Sequence, residues 1–138
     1  MIGMILIAHE QIAGEMLQAV EHVVGPQPLT ETLSIAPDVD VDACKEQLKR
    51  LITRCDAGDG VLLLADMFGG TPCNLALSCM QEGRVEVLSG FNLPMLIKAA
   101  TLRDGLTDVR ALAKQSQEAG RHHMHLASEL LSGKARHA

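Results

Sequence analysis

Gly60-Val61-Leu62-Leu63-Leu64-Ala65-Asp66-Met67-Phe68-Gly69-Gly70-Thr71-Pro72-Cys73-Asn74 opens as an apolar run and closes as a polar turn. The apolar part is long enough for a strand and too short for a helix, so the whole reads as a strand-to-helix junction. Thr71 followed by Pro72 predicts the helix start, with threonine as N-cap and proline at the first helical position, where a missing N–H costs nothing. Gly69 and Gly70 then sit just before a helix N-terminus. Glycines there let backbone amides approach an anion closely, and the helix dipole favours negative charge. Asp66 is the odd residue, because a carboxylate beside an anion site needs a cationic or hydrogen-donating partner. His9 is the candidate: it ends a second apolar run, Met4-Ile5-Leu6-Ile7-Ala8.

Working outward, strand one covers Ile2 to Ile7 and is apolar on both faces, as a central parallel strand covered by helices must be. Ile12, Ala13, Met16, Leu17, Val20, Val23 and Val24 follow at helical spacing until Gly25-Pro26. Leu29 to Ile35 alternates imperfectly, which fits an edge-like second strand. Capping carboxylates between Asp38 and Asp42 precede the apolar stripe Val41, Cys44, Leu48, Leu51, Ile52 and Cys55 of a second helix. The opening stretch supplies strand three and helix three, with Leu75, Ala76, Cys79 and Met80 facing inward. Arg84 to Ser89 is strand four, Gly90-Phe91-Asn92-Leu93-Pro94 leads into a helix ending at Leu102, and Thr107 to Ala119 is a fifth. Four successive β–α steps with short loops predict an α/β fold with a doubly wound, mainly parallel sheet. For Arg121 to Leu126 both a helical continuation and a last short strand remain open. Residues 1–132 read as one domain, and Gly133 to Ala138 as a frayed tail.

Composition narrows the function classes. Hydrophobic residues make up 47% of the 138 but aromatics only 1%, so Leu, Ile, Val, Ala and Met must build the core. The formal net charge is -5, with no basic run before the last few residues, which argues against nucleic acid as a partner. The four cysteines show no C-x-x-C spacing, and Cys44, Cys55 and Cys79 fall on apolar helical positions, so reduced, buried thiols are expected. Met1 to Ala8 has no basic flank and runs into His9-Glu10, unlike a signal peptide or membrane span. The expected location is the cytoplasm, peripheral to a membrane at most.

In an open α/β sheet, ligands bind beyond the carboxyl ends of the strands where strand order reverses. Order 2-1-3-4 puts that reversal between strands one and three and brings His9 beside Asp66. The same edge is expected to hold Asp66 to Thr71, Gly25 to Gln27, and Phe91-Asn92. A carboxylate accepting from Nδ1 fixes the tautomer and leaves Nε2 free as a nucleophile, while the Gly70 and Thr71 amides stabilise a phosphoryl oxyanion. A histidine after a strand is often only structural; the Asp66 partner and the glycine turn are what distinguish His9. Absence of G-x-x-x-x-G-K-[ST] and of G-x-G-x-x-G disfavours a nucleotide-hydrolysing P-loop and a Rossmann site. His122, His123 and His125 have no acidic or cysteine neighbour and read as solvated surface, so no metal is expected. Phosphohistidine already has high transfer potential, so no cofactor is needed.

Ile7-Ala8-His9, Leu64-Ala65-Asp66-Met67-Phe68-Gly69-Gly70-Thr71-Pro72-Cys73-Asn74 and Ser89-Gly90-Phe91-Asn92-Leu93-Pro94-Met95-Leu96 together closely resemble the IIA component of the mannose family in the bacterial sugar phosphotransferase system. The resemblance spans roughly residues 1–130. A related dihydroxyacetone-kinase phosphotransfer domain shares the histidine but not this F-G-G-T-P-x-N form. The resemblance implies that His9 accepts a phosphoryl group from the phosphocarrier HPr and passes it to a IIB component in sugar uptake. It also implies that Asp66 orients the His9 ring, that Thr71 helps hold the phosphoryl group with Gly69 and Gly70, and that Phe68 and Asn92 belong to the surrounding loops where a partner would dock. A homodimer is implied too, in which a final antiparallel strand within Arg121 to Leu126 is swapped onto the partner's sheet. No IIB domain or Ala/Pro linker follows in this sequence, which leaves open the alternative of a stand-alone regulatory phosphoprotein whose His9 state is read by a target protein.

Overall fold

The first strand, β1 (Gly3–His9), is buried over its first six residues, and only a strand covered on both faces and flanked on both sides can be. The structure, a computed structural model that describes residues 1–133, puts it there. β1 pairs in parallel with β2 (Thr30–Ile35) on one side and β3 (Val61–Ala65) on the other, and β4 (Val85–Ser89) completes a four-stranded sheet ordered β2-β1-β3-β4. The expected parallel, doubly wound sheet of order 2-1-3-4 is the one observed.

Alternation along the strands divides the core. Met4, Leu6 and Ala8 join Leu62, Leu64 and Leu88 on one face, against helices α1 (Ile12–Val24), α4 (Leu93–Leu102) and α5 (Val109–His122). Ile5 and Ile7 join Leu33, Ile35, Leu63 and Ala65 on the other, against α2 (Val41–Cys55) and α3 (Gly70–Ser78). Every core-facing Leu or Ile contributes about 1.5–3 kcal/mol by burial. Because β1 is apolar on both faces, its alternation alone would allow a one-residue slip; sheet register is set by what lies at its two ends.

At the amino end, Arg103 is fully buried. It sits in a single 3-10 turn, Arg103–Gly105, after α4, and its guanidinium donates to the carbonyls of Ile2 (3.1 Å), Leu29 (3.4 Å) and Pro28 and to Gln27 Oε1 (3.0 Å). Gly25 to Gln27 were expected at the carboxyl edge, but they follow α1, which runs back from that edge, so they lie with Arg103 at the amino end. Nearby, a Cβ on Gly3 would come within 2.4 Å of the Cys55 carbonyl oxygen, so only glycine lets α2 end this close to β1. Burial pushes the Cys55 thiol up to about 11, with Glu31 adding to the effect, which keeps it protonated and unreactive.

Several boundaries differ from expectation. β1 runs on to include His9, and α5 ends at His122, three residues later than predicted. Met80, expected inward, is half exposed because α3 stops at Ser78. Cys55 is buried as expected, whereas Cys44 and Cys79 are only partly so; all four cysteines are free. After α5 the chain turns at His123 and enters a short helix, α6 (Ala127–Leu131), none of whose residues is buried. Among the described residues no strand follows β4, and all but the first residue of the tail 133–138 lies outside them.

Candidate functional site

His9 is the last residue of β1 and Asp66 the first after β3. In the register, Ile7 lies opposite Ala65, so the two strands release their polar residues side by side. Asp66 Oδ2 lies 2.8 Å from His9 Nδ1 and accepts from the His9 backbone N–H at 3.1 Å, while Oδ1 accepts from the Met67 amide at 3.0 Å. An ionised carboxylate has no proton to give, so the 2.8 Å contact requires Nδ1 to carry the hydrogen and leaves the Nε2 lone pair unused. Burial alone would raise the Asp66 carboxyl, but the bonds from the His9 ring and amide, the ring's charge and the Met67 amide outweigh it, and the group is held below its usual value. The Asp66 side chain is 13% exposed and that of His9 41%, so the carboxylate is sheltered while the ring's far edge is open.

That far edge faces Gly70. A Cβ there would stand 3.2 Å from His9 Cε1 and 3.3 Å from Nε2, and the residue has φ +80°. Both facts exclude ordinary side chains, one by space and the other by backbone geometry. Gly70 is also the first residue of α3, whose N-cap is Gly69 with no side-chain cap. This corrects the expected boundary: Thr71 and Pro72 lie inside the first turn instead of opening it. The helix begins earlier because two glycines at positive φ, +88° and +80°, let the chain turn sharply out of β3. The consequence favours the site, since the N–H groups of Gly69, Gly70 and Thr71 have no intrahelical partner and no cap. Of these residues Gly70 is the one against the His9 ring, at the end of α3 where the helix dipole is positive.

The remaining predicted residues divide into two groups. Thr71 lines a cavity of about 300 Å³ together with His9, Glu10, Ile35 and Val41. Phe68 is 73% exposed and Met67 53%, both on the loop between Asp66 and the glycines. Asn92, by contrast, spends both ends of its amide internally: it caps α4 by accepting from Met95 N and donates to Gly120 O, both at 3.0 Å. Glu10, which sequence reasoning passed over, has φ 52° in the residue directly after His9. Nothing in the sequence signals this, because a glutamate after a strand is unremarkable until its backbone angle is known. Among the described residues, no three His, Cys, Asp or Glu side chains are grouped to hold a metal ion.

Residues 3–117 match the EIIA-man family, described as PTS system fructose IIA component. Among curated proteins, the mannose-specific EIIAB component of Escherichia coli K12 is 27% identical over 121 residues, 87% of this chain; the chain spans 38% of that relative's length. The fructose-specific EIIA component of Bacillus subtilis is 38% identical over 71 residues, 46% of this chain and 49% of its own. Among solved structures, the mannose/sorbose-specific IIA subunit of Enterococcus faecalis superposes with a TM-score of 0.79 at 28% identity, covering 91% of this chain and 93% of that one. An EIIA component from Streptococcus agalactiae shares the fold with a TM-score of 0.84 at 24% identity, covering 93% and 98% of the two chains.

Proposed function

The chain belongs to the EIIA-man family of phosphotransferase-system IIA components, and from that premise we propose that it is a phosphohistidine carrier, loaded on His9 by HPr and unloaded onto a IIB component. The observation that supports this reading best is the 2.8 Å contact from Nδ1 to Asp66 with Nε2 turned to the uncapped start of α3. The Nε2 lone pair attacks phosphorus as the donor's N–P bond breaks, and the electron pair of that bond returns to the donor nitrogen. Nδ1 keeps its proton throughout. The ring becomes a phosphorylated imidazolium whose positive charge faces Asp66 and whose phosphoryl oxygens face the amides of Gly69, Gly70 and Thr71 and the Thr71 hydroxyl. Unloading runs the same steps in reverse onto the next acceptor.

Exposed Phe68 and Met67 give a docking protein apolar surface beside the reacting atom, and Ile12, 43% exposed at the start of α1, adds to it. A homodimer belongs to the same reading. β4 is an edge strand whose outer side, past the Gln81–Val85 bridge, has no strand beside it among the described residues, and Met124 (76% exposed), Leu126 (64%) and Leu131 (81%) follow α5 without cover. No described helix is long and apolar enough to cross a membrane; the proposed place of action is the cytoplasm.

Radiolabelled phosphoenolpyruvate with enzyme I and HPr tests the assignment. One equivalent of acid-labile, base-stable label is expected on the wild type and on His122→Ala, His123→Ala and His125→Ala, and none on His9→Ala. Full labelling of a folded His9→Ala protein would remove His9 from the mechanism. Addition of candidate IIB proteins should discharge the label, and sedimentation at micromolar concentration should give the mass of a dimer.

A further inference from the structure

Two non-glycine residues among those described have positive φ, Leu29 at 49° and Glu10 at 52°. For Leu29 the reason is visible: its carbonyl accepts from Met4 N at 3.0 Å and from Arg103 Nη1 at 3.4 Å, so surrounding bonds hold the backbone in place. For Glu10 only the amide is engaged, donating to Ile35 O at 3.0 Å, a bond that glycine would make equally well in a conformation glycine adopts freely. Its side chain is exposed, and among the described residues its carboxylate forms no ion pair and no hydrogen bond. The carboxylate stabilises nothing visible among the described residues, yet Glu10 lines the same cavity as His9 and Thr71. Strain without a structural return, beside a reacting atom, points to function.

We propose that Glu10 sets the phosphoryl-transfer potential of His9, placing a negative charge on the phosphoryl side of the ring so that the loaded form is held less tightly and passes its group on. This rests on the assignment of His9 as the acceptor. Asp66 and Glu10 then act in opposite senses: Asp66 lies behind Nδ1 and stabilises the imidazolium, whereas Glu10, lining one cavity with His9 and Thr71, opposes the charge of a dianionic phosphoryl group on Nε2. Lys45, the cation lining the adjoining groove with Thr71 and Asn74, is accompanied there by Asp42, so the repulsion is not cancelled locally. Glu10 is a tuning residue. It needs to touch neither donor nor acceptor.

The readout is the equilibrium constant for phosphoryl exchange between this protein and HPr, measured by mixing labelled phospho-HPr with each variant and quantifying label on both chains. An equilibrium between dissociated carriers is blind to docking, so a change reports on the phosphorylated state itself. Glu10→Gln should shift the equilibrium toward loaded His9 by about three- to tenfold, the range expected for one partly screened charge. Glu10→Asp should stay near wild type, and 1 M salt, with a Debye length of about 3 Å, should close most of the gap. Glu10→Gly, which also removes the strain, should match Glu10→Gln. An unchanged equilibrium in Glu10→Gln, or a shift in Glu10→Gly alone, overturns the proposal, the latter by assigning the effect to backbone. Failure of the wild type to take any label overturns the carrier assignment with it, whereas a labelled wild type and an inert Glu10→Gln overturn this proposal alone.

Discussion

The two ends of the same parallel sheet are built on opposite terms. At the amino end, Arg103 is fully buried and its four bonds run to backbone carbonyls and a glutamine side chain. Asp56 takes up the Gly58 and Gly60 amides together with the Arg84 guanidinium, and α2 closes to within contact of Gly3. At the carboxyl end, α3 begins without a side-chain cap, His9 Nε2 has no hydrogen-bond partner among the described residues, and Phe68 stands in solvent. Apart from the buried Arg103 Nε, one end uses its polar groups on itself; the other keeps them in reserve. Polar satisfaction is thus not uniform across the fold. Each end keeps an unpaired donor, but Arg103 Nε is sealed in the core, whereas the start of α3 is uncapped beside the His9 ring, where the proposed function would bring an anion.

The contrast can be broken most forcefully from the closed end. Arg103→Leu leaves the Ile2 carbonyl without this donor in a buried setting and the Pro28 carbonyl in a partly buried one, and a loss of roughly 2–4 kcal/mol in unfolding free energy is expected. Denaturant melts measure it, while phosphoryl uptake per folded molecule should be unchanged. Asp66→Asn should give the converse: transfer slowed by about 100-fold or more, because the ring loses its orientation and the imidazolium its counter-charge, with stability changed by about 1 kcal/mol or less. Wild-type transfer in a well-folded Asp66→Asn protein would take Asp66 out of the site. Gly70→Ala is expected to be intermediate in kind, slowing transfer by roughly tenfold as the ring is displaced, and costing about 1–2 kcal/mol for a left-handed alanine. A crystal structure of that variant should show His9 shifted away from α3.

The smallest effect is one of pH. The folded-state pKa of Asp66 is depressed, so its contribution to stability is complete above the unfolded value of about 3.9 and declines as pH falls through the folded value. Melting curves of wild type and Asp66→Asn should therefore differ near pH 7 and converge toward pH 3. A gap that widens on acidification would mean that the carboxylate is not favoured by folding.

The open end was largely legible in the sequence and the closed end was not, for a physical reason. His9 and Asp66 each terminate an apolar run; the β–α alternation makes those strands parallel, and with order 2-1-3-4 the two residues meet. Arg103 gives no such signal, because an arginine after a helix normally lies in solvent, and its burial depends on where the carbonyls of residues 2, 28 and 29 converge from two other segments. Gly25 to Gln27 carry no signal of their edge, which is set by α1 running back to the amino end. The Thr-Pro pair was over-read as a cap. Two glycines ahead of it turn the chain earlier, and whether a glycine adopts positive φ is set by the surrounding fold.

β1 pairs with strands that come later in the chain, and Gly3 lies opposite Val61. During synthesis a central, largely apolar strand is therefore made first and must wait for both neighbours. Closing so long a loop is slow compared with local helix formation, and the interval leaves β1 open to misassociation. The same delay orders the chemistry. His9 leaves the ribosome long before Asp66, and until β3 docks its imidazole has no carboxylate behind it and no helix terminus in front. On the proposed function, a nascent or partly folded chain would carry the acceptor without its transfer machinery, and competence for phosphorylation would report that the sheet has closed.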